Sequence, residues 1–123
     1  MQIFLTKWFA RWAEKEGLSE SVLCQAVAEM EQGLIDANLG GHVVKKRIGV
    51  GGRGKSGGAR TILAFKVHDK AFFLYGFAKN RRDNIDNKEL RALKEMAAHL
   101  LGYDRKALNL AVQAQELIEV ANE

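Results

Sequence analysis

An α+β fold, with an N-terminal helical hairpin, a mainly antiparallel sheet and C-terminal helices, follows from three observations. Apolar residues recur at helical spacing from Trp8 to Leu34 and again from Leu90 to Leu101. Between them lie short runs rich in β-branched and aromatic residues, from Val43 to Ala78. These runs are joined by connections too short for parallel crossovers. The 123 residues suit one domain, 1–123, and 47 % apolar content supports a packed interior.

The elements follow in order. Ile3-Phe4-Leu5 is long enough for a short strand. Thr6 caps a first helix with Trp8, Phe9, Trp12 and Ala13 on its apolar face, and Trp8 and Trp12 read as core. Gly17 ends it, with Lys15 in the last turn. Ser19 or Ser21 opens a second helix through Val22, Leu23, Ala26, Val27, Met30 and Leu34, which fades at Gly40-Gly41. Strands are expected at Val43–Ile48, Thr61–Val67 and Phe72–Ala78, with a turn at His68-Asp69-Lys70. Asp86 and Glu89 have capping-box spacing at the start of a third helix, which Gly102 stops. Asp104 opens a fourth helix. Residues 116–120 fit either a final strand or a helical continuation.

Charge is distributed unevenly. Residues 42–82 hold eleven Lys and Arg against one acid, Asp69, a net of +10; the remaining residues hold eight basic and fourteen acidic, a net of −6. Such separation points to a polyanionic partner. No run of 18 apolar residues suggests a membrane span, and the N-terminus lacks the order of a signal peptide. The single cysteine, Cys24, fits a reducing cytoplasm and reads as a small buried hydrophobe. Three scattered histidines and one cysteine give no metal spacing, and no cofactor is expected.

Gly49-Val50-Gly51-Gly52-Arg53-Gly54-Lys55-Ser56 satisfies the phosphate-loop pattern of nucleotide hydrolases. That motif works only where a helix N-terminus follows to meet the phosphates. Here Gly57-Gly58-Ala59-Arg60 and a strand follow, so a nucleotide cofactor is not expected. Glycine amides, with Arg53 and Lys55, can still cradle a phosphate of a nucleic acid.

Lys45-Lys46-Arg47-Ile48, the loop Gly52-Arg53-Gly54-Lys55-Ser56-Gly57-Gly58, Arg60 opening a strand, and Phe72 to Lys79 together form a pattern over residues 43–85. The pattern resembles the RelE/ParE superfamily of type II toxins, and its RelE-like, HigB-related branch in particular. The order of elements fits over about residues 1–102, leaving 103–123 as an extension. The resemblance implies a RelE-like fold, with the sheet curved around helices. It implies an endoribonuclease that enters the ribosome and cuts mRNA without metal. In that chemistry the ribose 2′-OH attacks its own 3′-phosphate, leaving a cyclic phosphate and a 5′-hydroxyl. It also implies a cognate antitoxin that blocks the basic cleft.

Lys45 and Arg47 share a strand face, while Lys46 points the other way and argues for an edge or bulged strand. Arg60 matches the family arginine at the scissile phosphate, and its fork suits two phosphate oxygens. Lys55 and Lys79 close a catalytic ring with Lys45, Arg47 and Arg60, while Lys46, Arg53, Arg81 and Arg82 are expected to bind RNA. Proton transfer is the gap, because the positions after Lys79 hold neither Tyr nor His. A neutral Lys45 or Lys55 could act as base, and Arg81 could stabilise the leaving group. His42 reads as a strand end, His68 as a surface turn and His99 as a helix-surface residue. Tyr75 and Phe77 alternate on one strand and either stack a base or pack against helices. Two other functions use the same features: a non-catalytic RNA- or ribosome-binding module, and a ParE-like inhibitor of DNA gyrase.

Overall fold

The computed structural model describes residues 1–49 and 58–120. In chain order the elements are β1 (Gln2–Thr6), α1 (Lys7–Glu16), α2 (Glu20–Glu31), β2 (Ala37–Gly40), β3 (Val43–Ile48), β4 (Ala59–Lys66), β5 (Lys70–Ala78), α3 (Asn87–Leu101), α4 (Arg105–Gln113) and β6 (Leu117–Val120). The result is a mixed α+β chain with a six-stranded sheet in the order β2-β3-β4-β5-β1-β6. Every neighbouring pair is antiparallel except β1 and β5, which run parallel from Gln2 opposite Lys70 to Leu5 opposite Phe73.

The helix ends obey local chemistry. The Thr6 hydroxyl accepts from the Phe9 amide, and Gly17 closes α1 in the left-handed conformation at φ +75°. Ser19, rather than Ser21, caps α2. Asp86 and Glu89 form the full reciprocal capping box of α3, and Asp104 caps α4.

Helices cover both faces of the sheet. One face packs Ile3, Leu5, Leu63 and Phe73 against Phe9 and Ala13 of α1 and Leu23, Val27 and Met30 of α2. The opposite face packs Phe4, Ile62, Ala64 and Phe72 against Leu93, Ala97 and Leu100 of α3 and Leu108 and Ala111 of α4. Full burial of a side chain such as Phe9 or Phe72 contributes about 2–3 kcal/mol. Coverage on both faces explains why β4 and β5 read as continuous apolar runs rather than alternating ones.

Four expectations change. The second helix stops at Glu31, because the chain turns at Gly33 with φ +91°; Leu34 is exposed, and the following residues form β2 instead. β3, expected at an edge or with a bulge, is an inner strand between β2 and β4, and its pairing with β2 shifts register between Asn38 and Gly40. Trp8 is 48 % exposed rather than buried in the core, since it lies over Tyr75 at the sheet's side with ring centroids 4.7 Å apart. Finally, residues 105–120, expected as an extension, are built into the fold. β6 pairs with β1 from Leu117 opposite Thr6 to Val120 opposite Ile3, and Leu117 and Val120 are buried.

β5 carries one irregularity that matters for the site. Phe73 pairs with Leu63, but Tyr75 pairs with Ile62, so Leu74 is an extra residue. Such a bulge reverses the side-chain alternation beyond it. Tyr75 and Phe77 therefore share a face with Ile62 and Arg60, while Gly76 faces α1. A β-carbon at Gly76 would lie 2.3 Å from the Trp12 ring, so only glycine fits beneath that indole.

Among the described residues, no helix is long and apolar enough to cross a membrane.

Candidate nucleic-acid interface

The register of β3, β4 and β5 builds the site. Lys45 stands opposite Ile62, which stands opposite Tyr75; one step along, Arg47 stands opposite Arg60, which stands opposite Phe77. All six side chains belong to the face that α3 and α4 cover further along, over Val43, Ala64 and Phe72. The sheet thus gathers Lys45, Arg47 and Arg60 beyond the edge of that helical layer.

The partners of these cations differ. Lys45 is half-buried, and its ammonium lies 3.4 Å from Asn84 Oδ1. Arg47 is exposed, yet Asp36 engages it twice: its Nε donates to Oδ1 at 2.9 Å and its backbone amide to Oδ2 at 2.6 Å. Arg60 is 7 % exposed. Like charges directly opposite on neighbouring strands are destabilising, by up to about 1 kcal/mol. Arg47 and Arg60 are direct cross-strand partners, and Asp36 offsets the charge of Arg47.

Two cations expected to touch RNA have other roles in the structure. Lys46 is buried on the opposite face, 2.8 Å from Glu29 Oε1 of α2, and donates to the Leu34 carbonyl at 2.9 Å. Burial of an ammonium requires such partners, so Lys46 ties α2 to β3. Arg82 is held by Glu89 through two bonds, of 2.6 and 2.9 Å, and its guanidinium lies 5.5 Å over the Phe77 ring. Its Nη1 also reaches the Tyr75 hydroxyl at 3.4 Å. The bond from Arg82, and next the Asp86 amide, hold the Glu89 carboxyl below the usual carboxylate range. The same bond raises the affinity of Arg82 for its proton. Phe77 is therefore packed beneath Arg82, while Tyr75 stays half-exposed against Trp8.

Lys79 and Arg81 are exposed just past the end of β5, where the Lys79 amide donates to the Gly58 carbonyl. Arg53 and Lys55, with the rest of residues 50–57, lie outside the described residues. The histidines are elsewhere. His42 occupies the exposed β2–β3 turn, His68 the turn before β5 beside Glu31, and His99 sits on α3 near the Tyr103 hydroxyl. Burial, and next the charge of Glu20, push the half-buried Cys24 thiol up. Among the described residues, no three His, Cys, Asp or Glu side chains gather as a metal site.

A family model described as the RelE toxin of the RelE/RelB toxin–antitoxin system matches residues 1–120. The chain belongs to the RelE toxin family. The match takes in α4, which packs on the sheet, and β6, which pairs with β1. No curated protein matches the chain significantly. Membership in the RelE family makes this a toxin of a toxin–antitoxin system, and it implies a cognate antitoxin as partner.

The sequence missed Asp36, Asn84 and Glu89 as members of the site. The capping-box spacing of Asp86 and Glu89 was visible, but a capping role already accounted for Glu89. Only the fold brings Arg82 across to it.

Proposed function

We propose that this RelE toxin is an endoribonuclease that cuts mRNA on the translating ribosome, acting as a single cytoplasmic domain. The observation that carries the reading is the shared face of Lys45, Arg47 and Arg60, with the two arginines as direct cross-strand partners. In this reading Arg60 binds the non-bridging oxygens of the scissile phosphate with its planar fork. Arg47 and Lys45 flank it, and Lys79 and Arg81 extend the charge along the RNA. Arg53 and Lys55, from the glycine-rich stretch of the sequence, add further phosphate contacts in this reading. The ribose 2′-OH attacks the adjacent phosphorus, and negative charge builds on its oxygens. Fixed cations at that point stabilise the transition state by about 3–4 kcal/mol for each well-placed donor. Lys46 and Arg82 act through structure, by placing β3 and the segment before α3.

The test is to map mRNA 5′ ends after incubating the protein with translating ribosomes. Discrete cuts within open reading frames are expected, and Arg60→Ala should lower the cleavage rate about 100- to 1000-fold. Circular dichroism must show that the variant is folded, because Arg60 is buried. Binding without cuts would replace this reading by a non-catalytic RNA-binding one. DNA breaks without mRNA cuts would replace it by gyrase inhibition.

A further inference from the structure

We infer that Tyr75 is a catalytic residue, the general acid that protonates the leaving 5′-oxygen of the cut RNA. The inference rests on the endonuclease reading above and names a residue for its missing proton transfer. Five observations carry it. The bulge at Leu74 turns Tyr75 onto the cationic face, where it shares a cross-strand row with Lys45 through Ile62. Arg60 stands opposite Phe77, so Tyr75 is its diagonal neighbour, about 7–8 Å away along the sheet and within reach of a phosphate bound between them. The ring is held by stacking on Trp8, and the residue remains half-exposed. A cavity of about 170 Å³ opens beside it, lined also by Glu89, Ala92 and Leu93. Finally, Arg82 Nη1 lies 3.4 Å from the phenol oxygen, where it would stabilise a phenolate.

A phenol is protonated at neutral pH and suits donation rather than abstraction. The 2′-O–H proton passes to water as the 2′-oxygen bonds to phosphorus. The bond from phosphorus to the 5′-oxygen breaks, and that oxygen takes the Tyr75 proton, giving a 2′,3′-cyclic phosphate and a 5′-hydroxyl. The Tyr75 phenolate then recovers a proton from solvent.

The experiment compares Tyr75→Phe with the unaltered protein on ribosome-bound mRNA of two kinds. One has an ordinary phosphodiester at the cut site. The other has sulfur in place of the 5′-bridging oxygen, a leaving group that needs no proton. Tyr75→Phe keeps the ring and its stack on Trp8. It should slow cleavage of the ordinary linkage about 100-fold or more and leave the sulfur linkage near the unaltered rate. Equal slowing on both linkages would make Tyr75 a positioning residue and overturn the inference, as would unchanged cleavage of both. If the unaltered protein cuts neither, the endonuclease reading itself fails.

Discussion

Lys46 and its neighbours show how adjacent residues of one type divide into structure and site. Lys45, Lys46 and Arg47 look equivalent in the sequence, but strand alternation sends only Lys46 toward α2, where Glu29 and the Leu34 carbonyl receive it. Removing the ammonium from beside a largely buried carboxylate is costly. Lys46→Ala should lower unfolding stability by about 3 kcal/mol, whereas Lys79→Ala, at an exposed position, should change it by no more than about 0.5 kcal/mol. Urea titration of both variants checks this, and similar midpoints would show that Lys46 is not a structural tie. The facing of Lys45 and Arg47 was legible from period-two alternation alone. The destination of Lys46 was not, because Glu29 belongs to a helix that no local pattern places over β3.

Elements show the same division between local and distant information. The caps at Thr6, Asp86 and Asp104 were readable, and that of α2 was narrowed to Ser19 or Ser21, because a cap is decided within three or four residues. β2 was hidden, because Leu34 continues a helical spacing that Gly33 interrupts. The bulge at Leu74 was equally invisible: it is a relation between two strands. Its partner feature is Gly76 beneath Trp12. Gly76→Ala should destabilise by about 2 kcal/mol through overpacking, read as a lower melting temperature; an unchanged one would mean that α1 yields freely. The start of α3 makes a pH-dependent contribution. Glu89 titrates lower when folded than when unfolded, because Arg82 binds its charged form. Its stabilisation is therefore complete above the ordinary glutamate value of about 4.3 and fades as the pH falls through the lower folded value. Glu89→Gln should be less stable than the unaltered protein at pH 7, with the gap closing toward pH 3. A gap independent of pH would remove the ion pair as its cause.

At the scale of the whole molecule, the charge asymmetry of the sequence becomes a geometric one only in part. Of the eleven cations in residues 42–82, Lys46 is spent on the core and Lys66 and Lys70 stand beside Asp69 at the far end of β4 and β5. The cationic surface is thus smaller than the count suggests. With three or four phosphate contacts, the affinity for single-stranded RNA should fall with a log–log salt slope of about −2 to −3. Fluorescence anisotropy across a salt series measures it, and a slope near zero would deny the phosphates any part in binding. The charge separation was legible in composition, whereas which of its cations share one face needed the pairing of strands.

The place of β1 has a consequence for the life of the polypeptide. That strand comprises residues 2–6, yet it is flanked by β5 and β6, whose residues follow about seventy and more than one hundred positions later. During synthesis it must wait, its hydrogen-bonding edges and Phe4 exposed, until residues 117–120 have cleared the exit tunnel. An interval therefore opens in which a companion protein can reach the unfinished edge first.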